Sequence, residues 1–323
     1  MDLRQRTKRF GFYIILFAFL LRLTAEGILQ KEFLRLLQQD TVPIHIYSET
    51  GRNVRFSVSS ADFLFHFRES PPPWMPDTRK ICFSAGDAQL IELYNTSSKH
   101  PELETLLLQP LNWTLAAAEP TVLILHTHGT ESYTPDEEAY TTTSSYRTLD
   151  ENHNMLSIGD AVAKILEEKG IGVIHDRTIY DHPSYNGSYT RARAAISEHL
   201  RMNPSLCLVL DLHRDASGTT TRQLRTEAVI DGKTSAQLML VMGTNHDRWE
   251  ENLSLALKFH TLLEQRAPGI MRPINLRGQR FNQDLCPGAL LIEVGAAGNT
   301  RQEALSAARF LAEAVISLAQ GSN

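Results

Sequence analysis

The sequence has no basic excess. Lys and Arg total 32 against 37 Asp and Glu, a formal net charge of −5, so the electrostatic footprint of a nucleic-acid binder is missing. Cysteine is scarce. Cys82, Cys207 and Cys286 are odd in number and far apart, which excludes both a CxxC metal motif and a disulfide framework. Cys207, inside SLCLVLDLH, reads as a small buried hydrophobe. There are no internal repeats and no low-complexity tracts. No Gly-rich or Arg-rich phosphate cradle appears either, which counts against a phosphatase. What is present is ordinary globular material: 323 residues, 42% hydrophobic and 21% charged, enough for one large domain or two modest ones with a real core.

The N-terminus departs from that average. Arg4, Arg6, Lys8 and Arg9 precede an apolar run from Phe10 to Leu21. Basic residues before a short apolar segment read as positive-inside, with the rest of the chain exported. The run is shorter than the ~20 residues that span a bilayer comfortably. Two readings stand: a signal peptide cleaved near Ala25, or, preferred, a short anchor in which Arg22 snorkels to the far interface. Residues 1–25 are therefore expected to be a membrane segment. Residues 26–115 carry weak signals. ILQKEFLRLLQQ has helical spacing, PPPWMPD cannot be a helix interior or a central strand, and LIELYN and ELETLLLQPLNW are ambiguous. This stretch reads as a stalk or accessory region, with the main domain expected over 116–323.

From about Glu119 the pattern becomes regular. TVLILHTH is a continuous apolar run of strand length, as in a strand buried on both faces of a parallel sheet. MLSIGDAVAKILEEKG reads as an amphipathic helix stopped by Gly170. IGVIHD, LCLVLDLHRDA, AQLMLVMGT and ALLIEVGA read as further strands. SYTRARAAISEHLRMNP, ENLSLALKFHTLLEQRAPG and RQEALSAARFLAEAVISLAQG read as helices. Strands alternating with helices predict an α/β domain with a mainly parallel sheet flanked by helices.

In such sheets ligands bind beyond the carboxyl ends of strands, and three predicted strands end in candidate chemistry. LILHTHGTE supplies His126, His128 and Glu131; LVLDLHRD supplies Asp211, His213, Arg214 and Asp215; LLIEVG supplies Glu293. Two imidazoles and a carboxylate suit a zinc site with a position left for water. A further glutamate then serves as general base and acid. The competing reading is polar loops that happen to hold histidines; His175 in VIHDRT shows how readily the pattern arises.

HTHGTESYTP resembles the signature of the stage II sporulation protein P family, membrane-anchored peptidoglycan amidases. The resemblance runs on through NMLSIGDAVAKILEEKGIGVIHDRTIYDHPSYNGSYTRA, LVLDLHRDA, LMLVMGTNHDRWEENLSLALKF and RFNQDLCPGALLIEVGAAGNTRQEA, in the family's order. It implies zinc-dependent cleavage of the amide between N-acetylmuramic acid and L-alanine, with endopeptidase action on peptide cross-links as a second activity. The implied fold is the zinc amidase-like α/β domain with a twisted, mostly parallel sheet.

Carried over residue by residue, the resemblance makes His128 the first metal ligand, with His126 its competitor, His213 the later ligand, and Glu293 the catalytic acid–base. The middle carboxylate is Glu131 or, before the first helix, Asp150 or Glu151; Glu131 is preferred. Arg214 and Asp215 would orient a ligand or hold substrate. Asn282, Gln283 and Asp284 would hydrogen-bond glycan or peptide, unless they are turn residues with local backbone bonds. Tyr133 and Tyr146 are candidates to stack on sugar rings. The implied partners are peptidoglycan and, at the engulfing membrane of a sporulating cell, sporulation proteins D and M. Other classes weighed are an inactive peptidoglycan-binding module of the same fold and a different metal hydrolase such as a deacetylase.

Overall fold

The computed structural model describes residues 41–47, 53–59, 83–111, 115, 119–135, 145–219 and 222–321. The apolar run 10–21, the helical spacing at 28–39 and the proline-rich 71–77 lie outside them. Among the described residues no helix is long and apolar enough to cross a membrane. The chain divides into two compact units, Met1–Asp77 and Thr78–Asn323. In the first, strands β1 (Thr41–Tyr47) and β2 (Asn53–Ser59) form an antiparallel pair.

The second unit is a three-layer α/β domain. Its strands are β3 (Leu93–Asn95), β4 (Pro120–Leu125), β5 (Gly172–His175), β6 (Leu208–Asp215), β11 (Leu238–Gly243), β12 (Ile274–Arg277) and β13 (Ala289–Ala296). They lie in the order β3-β12-β11-β13-β6-β4-β5. Every neighbouring pair is parallel except β11 with β13, so four strands run one way and three the other. Two small hairpins, β7 (Gly218–Thr219) with β8 (Arg222–Gln223) and β9 (Glu227–Ile230) with β10 (Lys233–Ala236), leave the sheet between β6 and β11.

Alternation along the strands sets the layers. Val122 and Ile124 of β4, Leu210 and Leu212 of β6, and Leu290, Ile292 and Val294 of β13 share one core. Three helices cover it: α2 (Met155–Glu168), α4 (Trp249–Arg266) and α5 (Arg301–Gly321). On the other face Leu123, Leu125 and Val209 pack against Ala192 and Ile196 of α3 (Ser188–Met202). That helix covers only the β4–β6 half. Over β11 and β13 the same face carries Met239, Val241 and Leu291, flanked by Tyr189 and Phe281.

The expected domain start at 116 is corrected. Strand β3, from the stretch read as a stalk, hydrogen-bonds in parallel to β12 as the sheet's edge. The short helix α1 (Leu103–Leu107) buries Leu106 and Leu107 completely or nearly so. Its last carbonyls are bound by α4: Ser254 Oγ and Lys258 Nζ each donate at 2.7 Å, to Leu106 O and Leu107 O. Unsatisfied carbonyls at a helix end need such donors, and these come from the main domain.

Candidate active site

The apolar strand β4 stops because its next residues turn into polar partners. Asp211 of β6 accepts Thr127 N at 2.8 Å and Thr127 Oγ1 at 2.6 Å. Asp181 accepts Thr130 N at 3.1 Å and Thr130 Oγ1 at 2.5 Å. The turn 127–130 is thereby tied to two buried carboxylates, and His128 and Glu131 project from a fixed frame.

Glu131 is almost wholly buried and surrounded by cations. Arg147 Nη2 donates to Oε1 at 3.0 Å, the Arg214 backbone N–H donates to Oε2 at 3.2 Å, and His213 Nδ1 lies 3.6 Å from Oε2. Burial pushes the carboxyl pKa up, but the Arg214 guanidinium and His213 outweigh it and hold Glu131 well below the usual carboxylate range. His213 also sits 3.0 Å from Asp211 Oδ1, close enough for an ion pair but misaligned for a hydrogen bond. Burial lowers the His213 pKa, yet Asp211 and Glu131 together raise it well above its ordinary value.

His128 meets His213 edge to face, ring centroids 5.2 Å apart. Tyr185 stacks on its other side at 4.5 Å, and Tyr189 closes a third side at 5.5 Å. Burial lowers the His128 pKa to about 4, so the ring is neutral at neutral pH, and its buried Nδ1 has no hydrogen-bond partner. Glu293 stands directly opposite His213 in the β13–β6 register. Its Oε2 is buried without a partner. Burial pushes its pKa up to about 8; Glu131 and Asp215 add to the rise and His213 opposes it.

His126 does not join this group. Its Nδ1 lies 3.0 Å from the Leu212 carbonyl and must carry the proton, so its Nε2 accepts from His175 Nε2 at 2.9 Å. Both nitrogens are engaged on the α2 side of the sheet, where burial first and His175 second lower its pKa to about 3. Asp150 and Glu151 are exposed and held elsewhere, Asp150 by Asn152 and His153, Glu151 by Arg177 at 2.6 Å. Arg214 is buried scaffold: its guanidinium donates to the carbonyls of Ser132, Ser145 and Tyr146, clamping the segment that carries Glu131. Asp215 pairs with Arg272 at 2.8 Å.

The expectation that Asn282, Gln283 and Asp284 contact substrate is corrected in part. Gln283 is buried and bonds both polar groups of β11's end, Gly243 N and Val241 O. Asp284 forms a two-pronged pair with Arg193 of α3, and Asn282 Nδ2 donates to Tyr189 O. Tyr133 is fully buried with its hydroxyl on Val294 O, so it cannot reach a sugar. Tyr146 adopts a left-handed backbone, φ 52°, and its carbonyl receives Ser132 N. Residues not anticipated from the sequence are Arg147, Asp181, Tyr185 and Tyr189. The SYNGSYT stretch offered one signal, two tyrosines four residues apart around a glycine.

As a donor set, His128, Glu131 and His213 fit a zinc ion: two imidazoles and a carboxylate, buried, with outer carboxylate and arginine partners. The unpartnered His128 Nδ1 is the observation that supports this. Among the described residues no three His, Cys, Asp or Glu side chains are arranged so that they could hold a metal ion as they stand; the fit is one of donor types and not of finished geometry.

Comparison with known proteins gives three findings. The sequence profile of the family described as Stage II sporulation protein P (SpoIIP) matches residues 81–316. Stage II sporulation protein P of Bacillus subtilis (strain 168) is 30% identical over 258 residues, covering 76% of this chain; the chain spans 60% of that protein's length. Among solved structures, the N-acetylmuramoyl-L-alanine amidase AmiC2 of Nostoc punctiforme overlaps 63% of this chain and 94% of its own at 16% identity and a TM-score of 0.35. The CwlD amidase from Clostridioides difficile, in complex with the GerS lipoprotein, overlaps 62% and 95% at 13% identity and a TM-score of 0.37.

Proposed function

The chain belongs to the stage II sporulation protein P family, and from that premise we propose that it is a zinc-dependent peptidoglycan hydrolase acting in sporulation. The bond proposed is the amide between N-acetylmuramic acid and L-alanine, with peptide cross-links as a secondary target. The observation that carries this reading is the shared position of His128, His213 and Glu293 at the strand ends, where His128 Nδ1 and Glu293 Oε2 are buried without a hydrogen-bond partner. Such atoms are costly to bury unless a ligand completes them.

In this reading His128 and His213 hold the ion with Glu131. A bound zinc supplies Lewis acidity and an activated water. Everything else belongs to the chain. Arg147 and Arg214 keep Glu131 ionised and fix its direction, and Asp211 holds His213 from behind. Glu293 would accept the proton of the attacking water and return it to the departing amine. Tyr185 and Tyr189 flank the His128 ring on two sides.

The proposal extends to the setting. The 10–21 segment would anchor the chain with its catalytic unit outside the membrane, at the engulfing septum beside sporulation proteins D and M. The test is to incubate the protein with purified peptidoglycan, with and without chelation, beside Glu293→Ala and His213→Ala, and to identify products by mass. Free stem peptides that vanish with chelation and in both variants support the reading. Undiminished release by Glu293→Ala would sink it.

A further inference from the structure

Glu293 closes one end of an open groove of about 610 Å³. The groove lies on the face that α3 leaves bare, and sheet register lays out its floor. One cross-strand row runs His213–Glu293–Met239. The next runs Leu291–Val241–Asn275–Tyr94 and ends on the edge strand β3. Arg277 lines the far corner, opposite Gly243.

The polar groups in the groove are unevenly committed. Arg272, near the Glu293 end, is neutralised by Asp215. Arg277 is exposed and none of the ion pairs among the described residues includes it; its Nε donates to Gln279 Oε1 at 3.3 Å. Asn275 Oδ1 is buried in the floor with no donor facing it. Tyr94 stands 62% exposed beside it, a large and mostly open ring. A cation without a carboxylate, an amide acceptor without a donor and a bare ring are complementary to an extended peptide that carries a free carboxylate.

We infer that this groove is the stem-peptide subsite, with Arg277 as the receptor for a peptide carboxylate, Asn275 Oδ1 as the acceptor of a peptide N–H, and Tyr94 as the outer wall. The inference rests on the peptidoglycan-amidase reading and deepens it. Spacing supports a limit on length. Arg277 lies two strands across from Glu293, ~10 Å, and four residues along, ~13 Å. The diagonal, ~16 Å, is spanned by four or five residues of extended chain. Neutral glycan offers Arg277 hydrogen-bond acceptors but no anion, so the groove is assigned to the peptide side of the scissile amide. Strand β3 then has a role in the site: it supplies the wall that lets the groove discriminate.

The test compares two synthetic muramoyl-tetrapeptides, one ending in a carboxylate and one in a carboxamide, on the zinc-supplied full-length protein. Wild type is expected to favour the carboxylate about tenfold in kcat/KM. Arg277→Gln should remove the preference by raising KM for the carboxylate alone, and Arg277→Lys should keep part of it. Tyr94→Ala should raise KM for both. An unchanged carboxylate preference in Arg277→Gln, or equal loss on both peptides, overturns the inference. If wild type cleaves neither peptide, the hydrolase reading fails instead, and calorimetric binding of the two peptides to wild type and Arg277→Gln still decides the subsite by the same preference.

Discussion

Glu293 and His213 face each other across adjacent parallel strands, at matching register positions of β13 and β6. Sheet alternation puts both on the face opposite the main core, and the two strands hold them there without help from a loop. A pair built on rigid strands keeps its separation when side chains are exchanged, so Glu293→Gln tests chemistry rather than folding. Hydrolysis of peptidoglycan should fall by about 10²–10⁴-fold, while the melting temperature stays close to wild type, because the amide has the shape of the neutral carboxyl it replaces. A variant with wild-type turnover would remove Glu293 from the mechanism.

Asp211, two residues before His213 on the same strand β6, supports it and is itself fixed by Thr127 N and Oγ1. Removing its charge should loosen the imidazole it orients. Asp211→Asn is expected to weaken zinc binding by about 10–100-fold, measured by competition against a coloured chelator. Glu151→Gln, whose carboxylate is paired with Arg177 on the exterior, should leave zinc affinity where it was. Equal affinity in wild type and Asp211→Asn would mean that His213 does not hold the ion.

How far the sequence announces this arrangement depends on the element. Strands β4 and β11 are continuous apolar runs, and β6 and β13 begin as such before their chemistry-bearing residues, because both faces are covered or half-covered; the helices between them are marked by stripes of Leu, Ile and Val. Strand β12, Ile274–Arg277, is too short and too mixed to stand out, and β3 is three residues, so the far half of the groove was invisible. The antiparallel junction of β11 with β13 leaves no local trace either, since it depends on where α4 and the hairpins return the chain. Chemistry at strand ends was legible as residue types. What was not legible is which way each side chain turns. Strand alternation would put His126 and His128 on one face; the turn that follows β4 separates them, and the carbonyl of Leu212 with His175 claims the first.

Gly159 in α2 sits against that second histidine pair. A Cβ there would overlap Nε2 of both His175 and His126, two buried rings fixed by Asp160 and by the Leu212 carbonyl. In an exposed helix Gly→Ala stabilises by about 1 kcal/mol; here overpacking of about 1–3 kcal/mol works against it. Gly159→Ala is expected to lower the midpoint of urea unfolding. The same exchange combined with His175→Ala should recover most of the loss, since the clash partner is gone. A stabilised single variant would show that the histidines have room to move.

His260 offers a pH test away from the catalytic cluster. It lies in α4, 3% exposed, with Nδ1 lacking a partner. Burial lowers its pKa from 6.5 to about 4, against smaller opposing effects of Glu264 and the Arg272 backbone. Between those values the unfolded chain takes up a proton that the folded chain refuses. The unfolded state therefore binds more protons, and stability falls as pH drops from 6.5 towards 4, by at most roughly 3 kcal/mol from this residue. His126, lowered to about 3, adds in the same direction. In His260→Leu one of these contributions disappears, so the fall in unfolding free energy between pH 6.5 and 4.5 should be shallower than in wild type. Both proteins are measured by urea denaturation with chelator present, which keeps any zinc at His128 and His213 from contributing its own pH dependence. Parallel curves would place the His260 proton equilibrium at its ordinary value and remove burial as the cause.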